Sequence, residues 1–171
     1  GLSVTTGTGQ TLIGGLAGDA ITTSPNNTCI GYLAGTAIST GDGNSTCVGV
    51  SAGANLTTGS GNTLIGASAA NLSVLLQTGD NNTVVGTGAR TSSSSVDSEI
   101  VLGYNITGAG TNTVRIGTST GGTATLNLDG SDTSWAAASD ERLKKDVADS
   151  TVGLSFINAL RPVTFKWNAK N

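Results

Sequence analysis

A short phrase, Thr-x-(Ile/Val)-Gly, recurs along most of this chain and restricts what the chain can fold into. It stands at Thr11–Gly14, Thr28–Gly31, Thr46–Gly49, Thr63–Gly66 and Thr83–Gly86, with looser copies at Ile100–Gly103 and Val114–Gly117. The closing glycines are 17, 18, 17, 20, 17 and 14 residues apart. Three residues past most of them sits an alanine: Ala17, Ala34, Ala52, Ala69 and Ala89. A fixed period of this size marks a solenoid, in which each repeat stacks on its neighbours. The expectation is an all-β fold, a parallel β-roll or β-solenoid of about 17 residues per coil. Each coil would carry two short strands and two turns. The turns precede the phrase, as in Thr40-Gly-Asp-Gly-Asn44 and Thr78-Gly-Asp-Asn-Asn82. Their glycines and asparagines supply the positive φ that a tight reversal demands.

The Ile/Val position is expected to point inward on every coil, as a ladder of Ile13, Ile30, Val48, Ile65, Val85, Leu102 and Ile116, with the alanines as a second ladder. The preceding position, Leu12, Cys29, Cys47, Leu64, Val84 and Val101, would then face out, because successive strand residues face opposite sides. One coil with two or three aliphatic side chains does not offset the entropy of ordering its residues. Both strand faces are apolar, which calls for burial on both sides. Three chains around a shared axis would bury the outer stripe, so a homotrimer is expected, with a dimer or sheet-like assembly as alternatives.

Composition narrows the function classes. The 171 residues include six aromatics and no methionine or histidine, which removes His-based triads and His-ligated metals. Charged residues are 11%, against roughly a quarter in an ordinary domain. Hydrophobic residues are 36% and periodic, which argues against disorder. No uninterrupted apolar run is long enough for a transmembrane helix, so no membrane insertion is expected. With neither a leader nor an initiator methionine, the chain reads as processed or as a piece of something longer. Residues 1–138 hold two basic and seven acidic residues, a net of −5, which argues against a nucleic-acid partner. Residues 139–171 hold six basic and four acidic, a net of +2. The expected divisions are a repeat body at 1–118, a β stalk or linker at 119–138, and a separate segment at 139–171.

No cofactor or metal is expected. Cys29 and Cys47 share one repeat position on consecutive coils and read as stacked free thiols, since in-register parallel neighbours rarely meet disulfide geometry. Asp42 and Asp80 read as solvated turn residues rather than calcium ligands. The Asn-x-Ser/Thr triplets follow from composition and need not mean glycosylation.

The C-terminal stretch carries a different signal. Trp135-Ala-Ala-Ala-Ser-Asp-Glu-Arg-Leu-Lys-Lys-Asp146 is followed by Gly153-Leu-Ser-Phe-Ile-Asn-Ala-Leu160, where Leu154 and Ile157 suit one helical face. Asp149 or Ser150 can cap that helix, and Arg161-Pro162 ends it. Val163-Thr-Phe-Lys-Trp167 then alternates as a strand. The segment is thus expected to be a small α+β unit.

Two resemblances follow from these residues. Asn27-Thr-Cys-Ile-Gly-Tyr-Leu-Ala-Gly35 and Gly61-Asn-Thr-Leu-Ile-Gly-Ala-Ser-Ala69 resemble the head repeats of trimeric autotransporter adhesins, which implies left-handed parallel β-rolls packed three around an axis. Similar repeats occur in bacteriophage fibre proteins. The order Trp, Ser-Asp-x-Arg-Leu-Lys, helix, Leu-x-Pro-Val-x-Phe-x-Trp over residues 135–168 resembles the start of the peptidase S74 intramolecular chaperone of phage tailspikes and tail fibres. That resemblance implies a trimerising, self-cleaving appendix: at most a single-turnover autoprotease with Ser139 as nucleophile, Lys144 as base, and the scissile bond among Ala138, Ser139 and Asp140. A lysine can act so only when neutral, and Lys145 and Arg142 are the cations that would lower its pKa. Alternatively, Ser139 simply caps a helical turn.

The reading that combines these features is an extracellular virion fibre subunit, a homotrimeric rod. Its partners would be itself, other fibre or baseplate proteins, and a host-surface receptor, with glycans among the candidates. The alternatives are a bacterial trimeric surface adhesin and a free Thr-rich β-solenoid such as an ice-binding protein. A glycan-degrading spike would need a carboxylate pair, and the sparse acids of the body suggest none.

Overall fold

The structure is a computed structural model that describes residues 3–130. It is an all-β parallel solenoid with no helix among the described residues. Seven strands stack in parallel: β1 (Thr11–Ile13), β2 (Thr28–Ile30), β3 (Thr46–Val48), β4 (Thr63–Ile65), β7 (Thr83–Val85), β8 (Ile100–Tyr104) and β9 (Thr113–Thr118). The pairing keeps the repeat in register, with Thr28 opposite Thr46, Cys29 opposite Cys47, and Ile30 opposite Val48. At about 4.8 Å per strand the stack rises roughly 29 Å. β10 (Thr123–Asn127) turns back and pairs antiparallel with β9, closing that end of the sheet.

The strand faces are the reverse of the sequence expectation. Cys29, Cys47, Leu64, Val84 and Val101 are fully buried. Ile13 is 59% exposed, Ile65 38% and Ile116 39%, and Ile30, Val48, Val85 and Leu102 are only half-buried. Alternation fixes that the two positions oppose each other but not which one is inside. The residue before the phrase decides it. That residue (Asn27, Ser45, Asn62, Asn82 or Glu99) shares a face with the Leu/Cys/Val position, is buried, and is hydrogen-bonded there. The phrase's own Thr shares the outer face with the Ile/Val position.

The second strand expected in each coil is also absent among the described residues. Opposite the parallel sheet the chain runs through turns whose amides bond to the next coil, such as Gly18 N to Ala34 O at 2.9 Å and Thr22 N to Ser39 O at 3.0 Å. This wall contributes two buried columns: the alanines, as the sequence suggests, and Ile21, Ile38, Leu56, Leu76 and Val96. The 20-residue step arises because β5 (Asn71–Leu72) and β6 (Val74–Leu75) form a small hairpin inserted just after Ala69 and Ala70.

The glycine that closes each phrase is required by the stacking. A Cβ on Gly49 would lie 2.7 Å from the backbone carbonyl of Gly66, at a φ of 128°. Two positions before each copy of the phrase, positive φ falls on Gly9, Asn26, Asn44, Gly61, Asn81, Ser98 and Asn112. Only part of the Gly/Asn turn vocabulary therefore serves the reversal. Asn62 and Asn82, one residue later, have another task.

Candidate functional site

That task is an internal polar ladder. The side-chain oxygen of Gln10 accepts the Asn27 amide at 3.1 Å, and Asn27 Oδ1 accepts the Ser45 amide at 3.1 Å. Ser45 Oγ accepts the Asn62 amide at 3.2 Å, Asn62 Oδ1 the Asn82 amide at 3.0 Å, and Asn82 Oδ1 the Glu99 amide at 3.0 Å. The Asn82 amide group also donates to Val96 O at 2.7 Å and to Asn62 Oδ1 at 3.0 Å. Each coil thereby satisfies a buried backbone group of the next. The ladder ends at Glu99, fully buried, whose carboxylate accepts the amides of Gly110 at 2.6 Å and Ser92 at 2.9 Å. The sequence carries this signal as a polar residue immediately before the phrase, where the Gly/Asn composition alone points to a turn.

The outer surface of the sheet is the first candidate for function. The Ile/Val column runs its full length, and one residue beyond the closing glycines Tyr32 (54% exposed), Val50 (53%) and Tyr104 (57%) add a second exposed apolar column. Contiguous apolar surface of this kind marks an interaction site. Thr28, Thr46, Thr63 and Thr83 stand beside it on the same face.

The second candidate is a cleft of about 460 Å³ next to β9 and β10, bordered by Arg90, Asn105, Thr107, Arg115, Thr118 and Thr123 among others. Arg115 stands in register with Val101, so the inward aliphatic column ends in a guanidinium. Arg115 donates from Nη1 to Gly108 O at 3.3 Å and from Nη2 to Thr123 Oγ1 at 3.3 Å, while its Nε is buried with no partner. Arg90 Nη1 donates to Asn105 Oδ1 at 2.7 Å and to Gly88 O at 3.1 Å.

Cys29 and Cys47 are buried free thiols, paired across β2 and β3. Their mutual hydrogen bond lowers the Cys29 thiol pKa and, with burial, pushes that of Cys47 well above the usual range. Asp80 and Asp97 accept backbone amides of Ser60 and Asp80, both at 2.7 Å, so they brace successive turns. Among the described residues no three Cys, Asp or Glu side chains converge on a metal position. Ala138, Ser139, Asp140 and Lys144 lie outside the described residues, as do the expected helix and final strand.

No curated protein and no solved structure matches this chain. The adhesin-like reading of the body therefore gains nothing from comparison. Residues 139–171 match the peptidase S74 family, described as the chaperone of endosialidase and associated with phage tail fibres.

Proposed function

We propose that this chain is a structural subunit of a phage-type fibre: a homotrimeric rod with a self-cleaving folding appendix at its C-terminal end, projecting from a virion to engage a host surface. The observation that carries the reading is the peptidase S74 match at 139–171, directly after a stacked parallel roll. The exposed Ile/Val column with Tyr32, Val50 and Tyr104 supports the trimer, because three copies packed by this face would bury what one copy leaves in water. Such a roll must stack in register before its core exists, so an appendix that gathers three chains shortens a slow step. In the appendix the Ser139 hydroxyl attacks the Ala138 carbonyl while neutral Lys144 takes its proton; the Ala138–Ser139 amide bond breaks as that proton passes to the leaving Ser139 nitrogen, and water hydrolyses the resulting ester to free a chain ending at Ala138.

Sedimentation of the full chain tests the assembly. A trimer is expected, and Val48→Lys, which places a cation on the outer column, should give monomers with an unchanged far-UV spectrum. A wild-type chain that is monomeric at micromolar concentration sinks the trimer. Intact mass under denaturing conditions tests the appendix: with the native sequence continuing past Asn171, a fragment ending at Ala138 is expected, and Ser139→Ala should abolish it.

A second reading rests on the outward threonine column. A regular Thr array is what a free ice-binding solenoid would present, and thermal hysteresis in a chilled solution of the chain would favour it over the fibre.

A further inference from the structure

Among the described residues, the cleft beside β9 and β10 is bordered by two guanidiniums and no carboxylate. Arg90 and Arg115 are the only cationic side chains in residues 1–138, which contain seven acids, yet no described acidic residue borders the cleft that both arginines share. Gly108 ties them together: its amide donates to Arg90 O at 2.8 Å and its carbonyl accepts from Arg115 Nη1 at 3.3 Å. Glu99 lies beneath Gly108, fully buried, its carboxylate engaged by Ser92 and Gly110, and it does not border the cleft. The described border thus carries two guanidiniums in a stretch whose other charged side chains are all acidic.

An end cap for the roll would need one polar residue with its donors satisfied. Arg115 Nε is instead buried without an acceptor, which native structures seldom tolerate unless a water, ion or ligand supplies one. The remaining described border is mostly hydroxyl and amide, from Asn105, Thr107, Thr118 and Thr123, and among the described residues it has no aromatic ring on which a nucleobase could stack. A guanidinium fork matches the planar carboxylate, and hydroxyl and amide groups match sugar hydroxyls. The volume suits one or two sugar rings, at the small end of ligand pockets.

We infer that this cleft binds an acidic saccharide, its carboxylate received by Arg90 and Arg115 and its hydroxyls by Asn105 and the threonines. The inference rests on the roll alone and stands whether or not the chain is a fibre subunit. Titration calorimetry on the full chain tests it, with glucuronate, glucose, acetate and inorganic phosphate as probes. Saturable millimolar binding of glucuronate is expected, with no heat from glucose and severalfold weaker binding of acetate and phosphate. Arg90→Gln, at the partly exposed edge, should weaken glucuronate about tenfold, the scale of a lost charge-assisted bond. Thr123→Val, read in parallel, should weaken it severalfold, with the melting temperature of each variant confirming the fold. No binding of glucuronate overturns the inference. So does binding unaffected by both substitutions, or acetate or phosphate binding as tightly as glucuronate, since the hydroxyl border would then contribute nothing.

Discussion

Asn82 is the most sensitive rung of the polar ladder, and Asn82→Ala tests the claim that the ladder holds the coils together. Its side chain is fully buried, makes two donor bonds, to Asn62 Oδ1 and Val96 O, and accepts one, from the Glu99 amide. Three bonds at about 1 kcal/mol net each give about 3 kcal/mol. The Val96 carbonyl and the Glu99 amide would remain buried without their partner, and the missing carboxamide leaves a void. The total should therefore approach 5 kcal/mol, a large share of the stability of an ordinary domain. At a few degrees per kcal/mol, the melting temperature should fall by about 15 °C. Thermal unfolding followed by circular dichroism measures this, and hydrogen exchange at the Glu99 amide localises it. Asn81→Ala is the control: Asn81 is exposed, and its φ of 58° makes the change cost only about 1–2 kcal/mol. If Asn82→Ala is no more damaging than Asn81→Ala, or if the Glu99 amide stays protected, the ladder is a by-product of stacking and not one of its causes.

Gly49→Ala should destabilise by about 3 kcal/mol or prevent folding, because its Cβ would meet the Gly66 carbonyl. Gly110→Ala has the same φ of 128° and open space around it, so it isolates the backbone contribution; equal losses in urea denaturation would refute the stacking argument. Leu56→Ala, in the column facing the sheet, should cost about 2–5 kcal/mol by the same measurement. Above about pH 8.5 the unfolded thiols ionise. Cys47, raised by its hydrogen bond to Cys29 and by burial, holds its proton in the native state and so costs stability as pH rises, whereas Cys29, lowered by the same hydrogen bond, gives up its proton earlier and opposes that loss. Cys29→Val removes the opposing group, so its stability should fall more steeply than that of the wild type in melts from pH 7 to pH 10.

The repeat period, the parallel stack, the alanine column and the stacked thiols could all be read from the sequence, because each depends on identical residues meeting at identical positions. Which side of the strand lies inside could not be read from its apolar residues, since Ile30 and Cys29 are both apolar and alternation is symmetric. The deciding contrast was between two polar columns. Asn62 and Asn82 have amides that can give and take bonds in the interior, whereas Thr63 and Thr83 stay half-exposed on the outer face. The column of Ile21, Ile38, Leu56, Leu76 and Val96 was hidden by the hairpin insertion, which breaks its spacing after Leu56. The cleft was not legible either, because Arg90 and Arg115 are 25 positions apart and meet only through Gly108.

The hairpin at Asn71–Leu75 shows where this architecture accepts new material. It lengthens one coil, yet the strands before and after it, β4 and β7, pair in the same register as every other neighbouring pair. The corner after the buried alanines is therefore a graft point. A peptide epitope or affinity tag placed there, with its two ends close together, would ride on the outside of the solenoid and leave the periodic interior undisturbed.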